Sequence, residues 1–152
     1  MKKAFRLLVL LMPIIWGGCK ETKPHPYPQA YIDFEINLGM QDYYLLNFPS
    51  NYVYVQSGYG SSSRGIIIYR MPYNEYEFRV YDRFPPNYPD ACCDGQGNCS
   101  RLVTDGLFVI DECSDIKYNI LDGSIFEGEG EYELIQYHWS YNANNHTLHV
   151  FN

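Results

Sequence analysis

The stretch YIDFEINL, residues 31–38, alternates apolar and polar side chains without a break. Successive side chains of a strand point to opposite faces, so Ile32, Phe34, Ile36 and Leu38 share one face and Asp33, Glu35 and Asn37 the other. A second stretch, GIIIY at 65–69, is apolar throughout. Continuous apolar character suits a strand covered on both faces, which places this one at the centre of the core. Further strands are predicted at 52–56, 64–70, 76–81, 106–111, 116–121, 133–139 and 146–151. Turn-forming residues separate them at 47–51 around Pro49, 58–63, 71–74 around Pro72, 104–106, 121–123 and 142–145. Tyr, Phe, Val and Ile dominate, and few segments are free of Gly, Pro, Asn or Asp for long enough to make a helix. The expected fold is a small all-β domain over 31–152, a sandwich or barrel of short antiparallel strands. Its length is near the commonest domain size, and no second linker or internal repeat divides it.

Upstream, MKKAFRLLVLLMPIIWGGC has a basic start at Lys2, Lys3 and Arg6, an apolar run over 7–16, and Gly17-Gly18 before Cys19. This is the pattern of a signal peptide, residues 1–18. A bilayer span needs about 20 apolar residues. The run here is too short and contains Pro13. The Gly-Gly-Cys ending resembles the lipobox of bacterial lipoproteins, with Trp16 where that motif usually has an aliphatic residue. The resemblance implies that the chain is cut before Cys19 and that Cys19 carries lipid, two or more acyl chains being needed for stable anchoring. The membrane is then a partner through the N-terminal lipid. The expected location is the cell envelope, the outer membrane rather than the inner, with the domain outside the cytoplasm. Residues 19–30 follow as a spacer with prolines at 24, 26 and 28, which favour extended backbone. His25 reads there as a solvated spacer residue.

Removing 1–18 takes the formal charge from −7 to −10. Such a balance argues against nucleic acid as a partner.

Four cysteines remain: Cys92, Cys93, Cys99 and Cys113. In an oxidising compartment an even number implies two disulfides, and four cysteines allow three connectivities. Joining Cys92 to Cys93 would force a strained ring of adjacent residues. Cys113 is then left to bond Cys92 or Cys93, with Cys99 taking the other. A four-thiolate zinc site would need CxxC knuckles, which are missing, so no metal is expected.

No G-x-S-x-G, P-loop or G-x-G-x-x-G motif occurs, and disulfides claim the cysteines, so no catalytic residue and no enzymatic activity is expected. His146 and His149, in a predicted strand, point to opposite faces and cannot grip one metal; His138 is expected at a sheet surface. Glu127, Glu129, Glu131 and Glu133 read as a solvated acidic rim. The 16 tyrosines cluster in PYPQAY, DYYLLNF, NYVYVQSGYG and MPYNEYEF. Tyrosine suits both small β cores and interfaces that bind proteins or stack sugars.

The order GIIIYR, EFRVYDRFPPNYPD, LVTDGLFVIDECSDIKYNILDGSIFEGEG and LHVFN, over 64–152, resembles a Rieske domain, in particular the Rieske-like lipoproteins of Gram-negative envelopes. In that family a strand carrying Tyr-Asp leads into a first ligand loop, Cys-x-His. A hairpin leads to a second, Cys-x-x-His, followed by an LDGS-like turn and a Gly-Pro loop. Tyr81-Asp82-Arg83, Tyr118, 121–124 and 128–130 match this framing, the last without its proline. The resemblance puts the cluster-ligand positions at Pro85, Asn87, Asp111 and Ser114. A Rieske cluster needs two thiolates and two imidazoles, and none of the four supplies either, so no iron-sulfur cofactor is expected. Several Rieske proteins also join their ligand loops by a disulfide, and Cys113 occupies the second-loop place. The expected function is a cluster-free, membrane-anchored binding or structural module, with an envelope protein or a glycan as its partner. The alternatives are a Rieske-type or thiol-disulfide redox protein, and a glycan-binding lipoprotein using the tyrosines of 43–59.

Overall fold

The computed structural model describes residues 24–26, 31–56 and 64–152. The expected signal peptide, Cys19 and the expected turn at 58–63 lie outside them.

The domain is all-β, built from three small antiparallel sheets, none closed into a barrel. The first sheet joins β1 (Asp33–Asn37), β10 (Thr147–Phe151) and β9 (His138–Asn142), in that order; the second runs β2 (Tyr52–Val55), β3 (Ile66–Arg70), β4 (Phe78–Asp82). A third carries β5 (Val103–Asp105), β6 (Phe108–Asp111), β7 (Ile116–Asn119) and β8 (Ile125–Glu127).

The three sheets form layers, with the second in the middle. Alternation along β3 sends Ile66 and Ile68 into one core, with Phe34, Ile36, Leu148 and Val150 of the first sheet. Ile67 and Tyr69 enter another, with Val109, Ile116 and Tyr118 of the third. All five residues of β3 are buried, as the unbroken apolar run requires. Each fully buried isoleucine contributes about 1.5–3 kcal/mol relative to exposure. In β1 the burial alternates exposed, buried, exposed, buried, exposed, so the strand lies on the core with one face in solvent.

Several expected boundaries move. Gly106, expected both to end the turn 104–106 and to open a strand, sits in the β5–β6 turn at φ +59°, whereas Thr104 and Asp105, expected in that turn, belong to β5. The predicted strand 133–139 is two pieces. Residues 134–137 run beside β4, where the Asp82 amide donates to Ile135 O and the Tyr137 amide to Val80 O, both 2.9 Å. From His138 the chain belongs to the first sheet instead. Leu134 and Ile135 are consecutive and both buried, which a strand with one wet face does not permit, so the chain changes layers there. A 3-10 helix at Gln41–Asn47 occupies part of the tyrosine-rich DYYLLNF segment. His146 lies in the β9–β10 turn at φ +55°, accepting or donating to the Tyr141 hydroxyl at 3.2 Å, rather than in a strand.

Candidate functional site

β4 delivers Tyr81 and Asp82 to its end, and the chain leaves the sheet at Arg83. The loop that follows is closed at its base: the Leu102 amide donates to Arg83 O, and Arg83 Nε to Leu102 O, both at 2.9 Å. Arg64, just before β3, pins it from inside. Its Nη1 donates to Pro89 O at 2.6 Å and Ser100 O at 2.9 Å, and its guanidinium lies 4.8 Å from the Phe84 ring centroid. Arg64 Nη2 also reaches Asp90 at 3.7 Å.

The hairpin β5–β6 then leads to a tight loop before β7. The Cys92–Cys113 disulfide ties this loop to the first, across a sequence separation of 21 with Cα atoms 5.9 Å apart. Cys93–Cys99 closes a short hairpin within the first loop, separation 6. Asp94 organises that hairpin: its Oδ1 accepts from the Gln96 and Asn98 amides at 2.9 and 2.8 Å. Hydrogen bonds from the Asn98 side chain and backbone hold its carboxyl below the usual range. Of the two pairings open to Cys113, the structure takes Cys92.

Each of the four positions marked as degenerate ligands has an internal role. Pro85 is buried. Asn87 donates from Nδ2 to the Tyr118 hydroxyl at 2.8 Å and Tyr132 O at 2.9 Å. Its Oδ1 accepts from the Glu131 and Tyr132 amides at 2.7 and 2.9 Å. Gly130 lies so near that a Cβ there would stand 2.8 Å from Asn87 Nδ2. Asp111, 1% exposed, accepts from Ser114 Oγ at 2.5 Å and the Cys113 amide at 3.1 Å. Asp111 and Ser114 thus build the turn that presents Cys113.

Asp82, the acid of the Tyr-Asp pair, is also buried, accepting from Tyr137 Oη at 2.7 Å and the Phe84 amide at 2.9 Å. Burial raises its carboxyl above the usual range; the Tyr137 hydroxyl and Phe84 amide act in the opposite direction without cancelling that effect. Burial likewise pushes up the phenols of Tyr81, Tyr118 and Tyr137. Gly123, in the LDGS turn, has φ +80°, and a Cβ there would stand 3.0 Å from the Tyr81 ring. That turn needs glycine for both reasons.

Among the described residues the grouping of three metal-type donors is Asp90, Cys93 and Cys99. The two sulfurs are bonded to each other, which leaves one carboxylate and no thiolate. His138 is exposed on β9, as expected of a sheet surface. His149 Nε2 lies 2.7 Å from Asp33 Oδ1. His25, read from sequence as a solvated spacer residue, instead lies half-buried and edge-on to Tyr132 and Phe84, ring centroids 5.4 and 6.5 Å away. Apolar rings of the loop region attract it there. Glu127, Glu129 and Glu131 are exposed and Glu133 half-buried; Glu127 pairs with Lys117 at 2.7 Å.

The tyrosines of 43–59 serve the core more than the surface. Tyr43 packs on the first core and Tyr52 and Tyr54 on the second, Tyr44 is exposed, and Tyr59 lies outside the described residues. Sequence reasoning missed Asn87 as a structural centre, because its partners lie 31 to 45 residues away.

Set beside known proteins, the chain matches no family model, no curated protein and no solved structure.

Proposed function

We propose that this chain is a lipid-anchored protein of the bacterial envelope whose cluster-free, Rieske-like domain acts as a binding or structural module. The observation that carries this reading is the use made of the four ligand positions. Asn87, Asp111 and Ser114 spend their polar atoms on the loops themselves, and Pro85 has none to offer. A disulfide joins the two loops where the resemblance implies that a cluster would. In the chain-entropy model a crosslink of this span is worth about 3 kcal/mol, so it holds the loops together without metal.

Iron analysis and a visible absorption spectrum of the purified protein test the reading. Background iron and no sulfur-to-iron bands are expected, whereas stoichiometric iron with those bands overturns it. A thiol-disulfide role is the second reading, favoured by adjacent Cys92 and Cys93 standing in separate bridges. Mass mapping after mild dithiol treatment separates the two: bridges that stay closed exclude the redox role.

A further inference from the structure

The outer face of the first sheet is polar, and among the described residues no layer covers it. Register sets three rows of side chains across β1, β10 and β9: Asp33, Phe151 and His138; Glu35, His149 and Ser140; Asn37, Thr147 and Asn142. An open cleft of ≈ 230 Å³ crosses the last two rows and reaches the β9–β10 turn, lined by Glu35, Ser140, Asn142, Asn145, Thr147 and His149 among others.

Three of the polar side chains in this cleft, Asn142, Asn145 and His149, are held in place. Asn142 Oδ1 accepts the Asn144 amide at 3.0 Å, and Asn145 Oδ1 the Thr147 amide at 3.3 Å. Each asparagine therefore keeps its NH2 as the group left for a ligand. His149 Nε2 faces the Asp33 carboxylate at 2.7 Å, a contact in which the carboxylate accepts and Nε2 donates, and which fixes the orientation of the ring. The Glu35 carboxylate and the Ser140 hydroxyl have no hydrogen bond to any described residue. The cleft thus sets two oriented amide NH2 groups beside a carboxylate and a hydroxyl. Beyond it the Phe151 ring is flanked by His149 and His138, centroids 5.0 and 5.9 Å away, an apolar platform beside a polar floor.

Neighbouring sugar hydroxyls each donate and accept at once, and a pyranose has an apolar face that stacks on a ring. The carboxylates of Asp33 and Glu35 repel sulfated sugars, uronates and phosphates. We propose that this face binds neutral oligosaccharides, one unit in the cleft and the next over Phe151. The inference rests on the binding-module reading above and names its ligand class.

The test uses the full-length chain in detergent micelles on an array of neutral gluco-, manno-, galacto- and N-acetylglucosamine oligosaccharides, with sulfated and uronate-bearing glycans as controls. Selective retention on neutral glycans is expected. Glu35→Ala and His149→Ala should each weaken it about tenfold or more, the size of losing a charge-assisted or fixed hydrogen bond, while Tyr44→Ala leaves it unchanged. Circular dichroism confirms that the variants fold. Absence of neutral binding, retention of anionic glycans alone, or binding lost in Tyr44→Ala but kept in the cleft variants overturns the proposal. Iron content in the same preparation reports separately on the cluster-free reading, so the two fail independently.

Discussion

Asn87 holds three parts of the chain with one amide, linking the first loop to Tyr118 of β7 and to the backbone of residues 131–132. Removing it takes a partner from the buried Tyr118 and from the amide and carbonyl of half-buried Tyr132, while the amide of exposed Glu131 can turn to water. Asn87→Ala is therefore expected to cost about 2–3 kcal/mol in urea unfolding, at the upper end for buried groups left unsatisfied. Asp82 makes a pH-dependent contribution of opposite sense to an ordinary salt-bridged carboxylate. Its folded value is raised by burial, so between the unfolded range, about 4, and the folded value the native state binds the extra proton. Stability from this group is present at low pH and is lost as pH rises through the folded value. Asp82→Asn keeps an acceptor for the Phe84 amide and cannot ionise. Relative to wild type, it should be more favourable in denaturant titrations at pH 7 than at pH 4; an unchanged difference would show that the Asp82 carboxyl binds its proton equally well folded and unfolded. Neither role is written in local sequence. The partners of Asn87 and Asp82 meet only across layers.

At the scale of elements, β3 was the most legible piece, because an unbroken apolar run has few places to go in so small a domain. The layer change at 134–137 was less so. Its apolar residues have no clean period, and only the pairing with β4 reveals where the segment belongs. The 3-10 helix escaped for a related reason: a single residue of it, Leu46, is fully buried, too few to write a helical stripe. The cysteines were readable as two bridges but not as one pairing, since Cys92 and Cys93 are adjacent and the pattern treats them alike. Their energetic weights differ. Cys92–Cys113 closes the longer loop, and loop entropy grows with length, so replacing both cysteines with serine should cost about 3 kcal/mol. The Cys93–Cys99 double replacement should cost about 2 kcal/mol, with the Asp94 hydrogen bonds keeping the hairpin turn. Chevron or equilibrium unfolding of the two double variants measures the difference. Equal losses would argue against the cross-loop bridge as the substitute for a cluster.

At the scale of the whole molecule, the two ends of the domain meet. Ile32 N donates to Asn152 Oδ1 at 3.1 Å, and His25 of the spacer lies against Phe84 and Tyr132. The spacer therefore approaches the end that carries the cross-linked loops. The exposed apolar side chains of Met40, Tyr44, Leu45 and Phe48 follow the C-terminal end of β1, at the opposite end of that strand from Ile32. In the proposed anchoring, contact with a membrane comes from lipid on Cys19, and the acidic domain adds no attraction of its own to anionic headgroups. This sets a clear expectation for Cys19→Ser. Without the thiol no diacylglyceryl group can be attached, and the uncleaved or aberrantly cut chain loses the multiple acyl chains that make anchoring stable. Intact-mass spectrometry should find acyl chains on the N-terminal cysteine of the wild-type protein and none on the variant. In detergent phase separation the wild type should enter the detergent phase, while any variant cleaved elsewhere in the signal region moves to the aqueous phase. A wild-type N-terminus that starts away from Cys19, or carries no lipid, would remove the anchor and leave an exported domain free in the compartment.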